Sequence, residues 1–279
     1  MKQWSLMIDI EKCEGCHNCF LACKDEHVGN DWKGFSVGQR KHGSQWMKIL
    51  RKERGRFPVV DVAYLPVPCM QCDDAPCIKA AKNGAVYKRN DGIVLIDPEK
   101  AKGQRDIVKA CPYGASEWND EKEVSQKCTL CAHLLGSGWK EPRCVQACPT
   151  GALRSLYLED AEMKKVAVSE HLGVLHPEYG THPRVYYQNL FRFFRCFISG
   201  SVAFEREGHS ECAEGARVIL LKDGQRRGEM VTDAYGDFKF DHLEENSGCY
   251  HLEVSFEGYE QKKVEVDLKT SMSVGTIML

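Results

Sequence analysis

Along its last third the chain alternates apolar and polar residues between short Gly/Asp turns, a period of two that predicts half-buried β-strands. Ala216-Arg217-Val218-Ile219-Leu220-Leu221 reads as one strand, closed by a turn at Lys222-Asp223-Gly224. Residues 232–240 read as a turn and a second strand. Tyr250-His251-Leu252-Glu253-Val254-Ser255-Phe256 alternates without a break until Gly258-Tyr259 ends it. Residues 196–279 are therefore expected to form an all-β antiparallel sandwich of their own.

Upstream the pattern changes. Residues 158–172 place Ala161, Val166 and Val168 at helical spacing, and a Pro- and His-containing piece follows at 176–183. The aromatic, basic stretch 186–195 comes next, and its Arg192 and Arg195 rule out a membrane helix there. Residues 156–195 thus read as a connecting helix and an arm, packed either on another surface or on the chain's own domain. Residues 1–155 show only brief strand-like runs. The clearest is a hairpin, Val86-Tyr87-Lys88-Arg89 and Ile93-Val94-Leu95-Ile96 about the tight turn Asn90-Asp91-Gly92.

That first region contains an internal repeat. Cys111-Pro112-Tyr113-Gly114-Ala115 and Cys148-Pro149-Thr150-Gly151-Ala152 are two copies of one motif, and Ala81-Lys82-Asn83-Gly84-Ala85 is a degenerate third. The domain is expected to be built from related units.

Composition narrows the classes. The 279 residues suggest about two domains. A net charge of −2 argues against a nucleic-acid binder. No run of about 18 apolar residues predicts a membrane span, and residues 1–10 do not read as a secretory signal. Of 15 cysteines, twelve lie in residues 1–148, an uneven and odd count that does not suit a disulfide framework. A reducing, cytoplasmic setting is expected, where thiolates serve metals.

The cysteines fall into four groups. The first, Cys13-x2-Cys16-x2-Cys19-x3-Cys23, is the bacterial ferredoxin run without its usual Pro. The others are Cys69-x2-Cys72-x4-Cys77; the lone Cys111-Pro112; and Cys128-x2-Cys131, then twelve intervening residues, then Cys144-x3-Cys148-Pro149. Two-residue gaps let one tight loop present three thiolates to three corners of a cubane cluster. In two-cluster ferredoxins the fourth Cys of each run ligates the other cluster. Aligned to full runs, the third group lacks ligands at Ala101, Gln104 and Ile107, and the second at Ala81. Under cross-ligation these four absences make up one whole cluster. Three 4Fe-4S clusters remain: cluster A on Cys13, Cys16, Cys19 and Cys148; cluster B on Cys23, Cys128, Cys131 and Cys144; cluster C on Cys69, Cys72, Cys77 and Cys111. Structural zinc on paired CxxC units is the competing reading, but zinc does not require the four-Cys run or the Cys-Pro pairs.

Other features are weaker. Cys196, Cys212 and Cys249 read as thiols packed in the β domain. His17, His27, His42 and His133 read as neighbours of ligands or surface groups. Residues 33–56 carry eight Lys+Arg and one Glu, which suits either a solvated loop or a docking face for an acidic partner. No residue reads as a substrate acid, base or nucleophile.

The four-group pattern, the Cys-Pro-x-Gly-Ala repeats and Tyr64-Leu65-Pro66-Val67-Pro68-Cys69-Met70-Gln71-Cys72 resemble the iron–sulfur subunits of the dimethyl-sulfoxide-reductase class of molybdopterin enzymes. The missing fourth cluster, the segment Pro183-Arg184-Val185-Tyr186-Tyr187-Gln188-Asn189-Leu190 and the added C-terminal domain resemble, more narrowly, the small subunits of the pyrogallol–phloroglucinol transhydroxylase family. The resemblance implies an α+β ferredoxin-like domain of duplicated bacterial ferredoxin units over 1–155, ahead of a transthyretin-like or carboxypeptidase-regulatory-like sandwich over 196–279. It implies a non-catalytic electron-transfer subunit of a heterodimer or higher oligomer. The partner it implies is a large catalytic subunit carrying molybdenum with two molybdopterin guanine dinucleotides and acting on phenols. The alternatives are another molybdopterin oxidoreductase, using arsenic or sulfur compounds, or clusters that mainly staple a scaffold.

Overall fold

A computed structural model describes residues 1–279, which form two units: Met1–Arg51 with Tyr64–Leu190, and Lys52–Ala63 with Phe191–Leu279. In chain order the elements begin β1 (Gln3–Asp9), α1 (Asn18–His27), β2 (Met47–Arg56), β3 (Val59–Pro68), α2 (Pro76–Ala80), β4 (Val86–Lys88) and β5 (Val94–Ile96). They continue α3 (Asp106–Lys109), β6 (Ser116–Asn119), β7 (Val124–Lys127), α4 (Ala132–Gly136), α5 (Arg143–Gln146), β8 (Leu153–Leu158), α6 (Asp160–Ser169) and β9 (Val185–Gln188). The second unit adds α7 (Phe191–Phe194) and eight strands: β10 (Cys196–Arg206), β11 (His209–Cys212), β12 (Arg217–Lys222), β13 (Gln225–Val231), β14 (Asp237–Leu243), β15 (Gly248–Ser255), β16 (Lys262–Leu268) and β17 (Met272–Met278). No helix is long and apolar enough to cross a membrane.

In the first unit β1 lies between β8, antiparallel, and β9, parallel. Both its faces are covered, so Ser5, Leu6, Met7 and Ile8 are all buried and the strand shows no alternation. The three repeat copies share one local design. A short helix (α2, α3 or α5) leads into a turn with glycine at positive φ: Gly84 at 65°, Gly114 at 59° and Gly151 at 66°. An L side chain is disfavoured there, which explains the shared glycine. Ala85, Ala115 and Ala152 follow, each buried, and a strand begins. The hairpin at Asn90-Asp91-Gly92 forms as expected, with β4 paired to β5 and Asp91 Oδ1 accepting from the Ile93 N–H at 3.3 Å.

The expected connecting helix is α6, started by a reciprocal capping box between Glu159 and Glu162. The expected arm is not one piece. Val185–Gln188 completes the β1 sheet as β9, with Tyr187 fully buried and its hydroxyl donating to the Pro66 carbonyl at 2.9 Å. Only the residues from Phe191 onward belong to the second unit.

The second unit holds two four-stranded sheets about one core. One is β11-β10-β14 with β17 also on β10; the other is β13-β12-β15-β16. Ile198, Val202, Phe238 and Phe240 of the first sheet meet Val218, Leu220, Leu252, Val254 and Leu268 of the second. Burying each such side chain contributes roughly 1.5–3 kcal/mol. The antiparallel expectation needs one correction: β17 runs parallel to β10. The chain changes sheets between β16 and β17 and so arrives running in the direction of β10.

Residues 52–63, the tip of the β2–β3 hairpin, belong to this second unit. Arg54 is only 1% exposed there. It pairs with Asp61 at 3.0 Å and with Asp241, and its guanidinium lies 5.2 Å from the Phe197 ring centre. Burial alone would raise the Asp61 carboxyl, but the charges of Arg192, Lys239 and Arg54 outweigh it and hold that pKa below its ordinary value. Together with Arg40 on Asp120 and Lys48 on Glu117, this ties up part of the basic stretch 33–56 within the chain. Removing Arg54 leaves Asp61 and Asp241 only the partly exposed Arg192 and Lys239 as partners, so Arg54→Ala should cost about 3 kcal/mol, the low end for a buried ion pair, in denaturant unfolding of the iron-loaded chain. A loss under about 1 kcal/mol would mean that water already screens this cluster.

Candidate metal centres

The loop after β1 and the first turn of α1 bring Cys13, Cys16 and Cys19 together. Gly15 lies between Cys13 and Cys16 at φ 66°, where an added Cβ would clash with the Tyr64 ring. The tightness of this loop thus depends on a missing side chain. Cys148 joins the set from the turn after α5. Burial pushes the Cys19 thiol up to about 12, and Cys13, Cys148 and Cys16 add to the rise. Burial also raises Cys13, offset in part by the Gly15 N–H, with Cys148 and Cys16 acting on it as well.

α1 carries Cys19 and Cys23 one turn apart, so a single helix face serves two sets. Cys23 is raised by burial, then by Cys128 and Cys131. Cys144 is raised by burial, then by Cys131, Cys128 and Cys23. These four thiols form the second set. α5 repeats the device, with Cys144 in one set and Cys148, four residues on, in the other. α1 and α5 pack together, which brings Cys148 near Cys19 and places Cys23 near Cys128 and Cys131.

Cys69, Cys72, Cys77 and Cys111 line one small cavity with Val94, Tyr113 and Lys127. Cys72 is pushed to about 12 by burial and then by Cys69, with Cys77 and Cys111 adding. Cys128 of the second set is raised to about 11 by burial and next by Cys69 of the third. The sets therefore follow one another, the first beside the second at Cys19 and the second beside the third at Cys128 and Cys69.

The donor chemistry suits iron–sulfur clusters. Each set offers four soft sulfur ligands. Desolvation disfavours free thiolates at these sites, so the ionised ligands need a multiply charged metal core to neutralise them. Backbone N–H groups point at sulfur: Ala115 to Cys111 Sγ at 3.4 Å and Leu130 to Cys128 Sγ at 3.3 Å. Where a fourth cluster would need ligands, the space is otherwise filled. Ala101 and Ile107 are fully buried. Gln104 accepts from the Lys82 N–H at 2.8 Å and donates to the Lys100 carbonyl at 2.6 Å.

Lys127 was not legible as a site residue. It is buried and donates to the Val94 carbonyl and to the Cys128 carbonyl at 3.2 Å. Burial opposes its charge, but Cys69, Cys77 and Cys128 more than restore it, and its pKa rises. His27 and His133 are buried beside the second set, as the neighbour reading expected. His27 Nε2 lies 4.0 Å from Cys131 Sγ, and burial, with help from His133, drives its pKa to about 3, so the ring is neutral. His133 bonds Glu26 at 2.9 Å and stacks on Trp32 at 4.1 Å. His17 caps α1 in the left-handed region, and His42 is exposed. Among the remaining thiols only Cys196 is packed as expected. Cys212 and Cys249 are exposed: Cys249 sits on an outward-facing position of β15, and Cys212 ends β11, whose four residues are all exposed.

Comparison with known proteins agrees with this chemistry. The 4Fe-4S dicluster domain family matches residues 60–157. The chain is 43% identical to the pyrogallol hydroxytransferase small subunit of Pelobacter acidigallici over the full length of both. It is 35% identical to a sulfite dehydrogenase subunit of Allochromatium vinosum, over 67% of this chain and 83% of that one. It is 31% identical to the arsenate respiratory reductase iron-sulfur subunit of a Shewanella species, over 67% of this chain and 96% of that one.

Proposed function

The chain belongs to the iron–sulfur subunit family that includes the pyrogallol hydroxytransferase small subunit and the arsenate respiratory reductase iron-sulfur subunit, and on that footing we propose that it is the electron-transfer subunit of a heterodimeric molybdopterin enzyme acting on phenols. The observation that carries this reading is the row of three four-thiol sets. In it Cys13, Cys16, Cys19 and Cys148 hold one 4Fe-4S cluster, Cys23, Cys128, Cys131 and Cys144 a second, and Cys69, Cys72, Cys77 and Cys111 a third. When bound, such clusters exchange single electrons at potentials set by burial, hydrogen bonds and nearby charge.

The chain's own residues supply those settings. Cys23, Cys131 and Cys144 hold the middle set away from water, while Cys16 leaves the first set open to solvent at one end. The neutral His27 and the ammonium of Lys127 place a polar ring and a full charge beside the second and third sets. Full-length likeness to a pyrogallol hydroxytransferase small subunit supports phenols as the substrates of the large partner, which would carry molybdenum with two molybdopterin guanine dinucleotides. The thiols require a reducing compartment, in keeping with a cytoplasmic complex. Two sheets about one core support a transthyretin-like sandwich for the C-terminal unit, serving interaction or support.

The test is anaerobic purification of the complex with a molybdenum assay, followed by mixing with pyrogallol while the clusters are observed by electron paramagnetic resonance. Reduction within the turnover time is expected. Clusters that stay inert during turnover would leave them a structural role, which suits a hydroxyl transfer between two phenols because it needs no net electrons. Turnover of arsenic or sulfur oxyanions in place of phenols would overturn the substrate class.

A further inference from the structure

Outside the cluster sets, one group of side chains combines three kinds of metal donor. Cys249 and His251 occupy outward positions of β15; the residues that alternate with them, Tyr250 and Leu252, point into the core. β16 pairs antiparallel with β15 in unbroken register, placing Glu265 opposite His251 and Asp267 opposite Cys249. The backbone ladder thus fixes which residues share this face. One donor atom from each of Cys249, His251 and Glu265 lies within 4.8 Å of the others, and Cys249 Sγ is 3.3 Å from Glu265 Oε1.

We propose that Cys249, His251 and Glu265 form a zinc-class binding site on the outer face of the C-terminal unit. Thiolate, imidazole and carboxylate together suit a borderline-soft divalent ion. Zinc–ligand bonds of about 2.0–2.3 Å at tetrahedral angles put donors roughly 3.5 Å apart, close to the spacing already present. Three protein ligands leave the fourth position to water. The surrounding charge also favours a cation. With no metal, the Cys249 thiol is raised by desolvation, by its bond to Glu265 and by the charges of Glu265, Asp267 and Asp223. The same carboxylates that make it a poor free nucleophile attract a divalent ion, which in turn deprotonates the thiol. Of the cations nearby, Lys263 is engaged elsewhere, with Glu253 at 2.7 Å, and Lys269 lies 3.8 Å from Asp267, offsetting part of that one carboxylate's charge. β16 is the edge of its sheet. A metal shared by β15 and β16 pins that edge and blunts it against pairing with other chains.

Cys212 supplies an internal control, since it is exposed on β11, outside this group. The full-length, iron-loaded chain is treated with one equivalent of zinc sulfate and desalted. Zinc and iron are then measured by mass spectrometry, and alkylation of Cys249 and Cys212 is followed peptide by peptide. One zinc per chain should remain, alkylation of Cys249 should slow at least tenfold, and Cys212 should react as before. His251→Ala and Glu265→Gln, both at exposed positions, should each abolish zinc retention and protection while leaving iron unchanged. Equal alkylation rates of Cys249 with and without zinc, or zinc retained in both variants, would overturn the site.

Discussion

Cys148→Ala should remove or degrade the cluster bound by Cys13, Cys16 and Cys19, more than 125 residues away in sequence, while sparing the cluster of its own neighbour Cys144. Iron in the anaerobic wild-type chain should be about twelve per molecule, from three cubanes. In Cys148→Ala it should fall by about one, if a three-iron form survives, to about four, if the cluster is lost. The physical ground is the geometry of α1 and α5. Each segment carries two thiols four residues apart, Cys19 and Cys23 within α1 and Cys144 and Cys148 in and just after α5, and the two thiols of α1 respond to different partners. Cys19 responds to Cys13 and Cys148, and Cys23 to Cys128 and Cys131. Combined variants make the assignment decisive. Adding Cys13→Ala to Cys148→Ala should cost little further iron, because both strike one cluster. Adding Cys128→Ala should cost about another cluster's worth, because it strikes a second. Non-additivity of this kind identifies groups that act as one unit. Stability should fall with iron, since metal binding and folding are coupled. If Cys148→Ala instead proves non-additive with Cys144→Ala, the runs do not exchange ligands and the pairing is wrong.

How far the chain could be read from its letters follows from the range of the forces involved. The Cys runs, the Cys-Pro-x-Gly-Ala repeat and the Asn90-Asp91-Gly92 hairpin are local. Each is a backbone conformation with a residue requirement, and each was legible. The strands β12, β14 and β15 were legible for the same reason, because one face of each is buried. What escaped is long-range. Nothing near Arg54 shows that it will meet Asp241, 187 residues on. Nothing near Met272 shows that β17 will run with β10. Lys127 looks like any lysine ahead of a Cys until β7 carries it against Cys69. Cys249 looked like a core thiol, but the outward phase of β15 exposes it, and only pairing with β16 brings it to Glu265.

Lys127→Met is expected to lower the reduction potential of the cluster held by Cys69, Cys72, Cys77 and Cys111. Reduction adds a negative charge to the cluster, and a nearby cation stabilises the reduced form more than the oxidised one. Lys127 lines the cavity of that set and bonds the Cys128 carbonyl of the next, so its charge is held close to both with little water between. A unit charge roughly 6 Å away, at an effective dielectric constant of about 20, is worth about 3 kcal/mol. Even after relaxation halves that figure, the reduction equilibrium shifts about tenfold, which for one electron is about 59 mV. The potential of the Cys23 set should fall by less, and that of the Cys13 set should not move, because Lys127 acts on none of its thiols. Iron should be retained. Methionine keeps the length and apolar stem of lysine, and exchanging a buried charge for such a group often costs little stability. Lys127→Gln separates the two contributions of the side chain, since it can keep a hydrogen bond to the Val94 or Cys128 carbonyl without the charge. The measurement is a redox titration of the intact complex followed by electron paramagnetic resonance. If charge sets the potential, Gln and Met should shift it alike. If hydrogen bonding sets it, Gln should match the wild type. If neither variant moves any cluster, the ammonium is already neutralised by its surroundings, and its role is to hold β7 against Cys69.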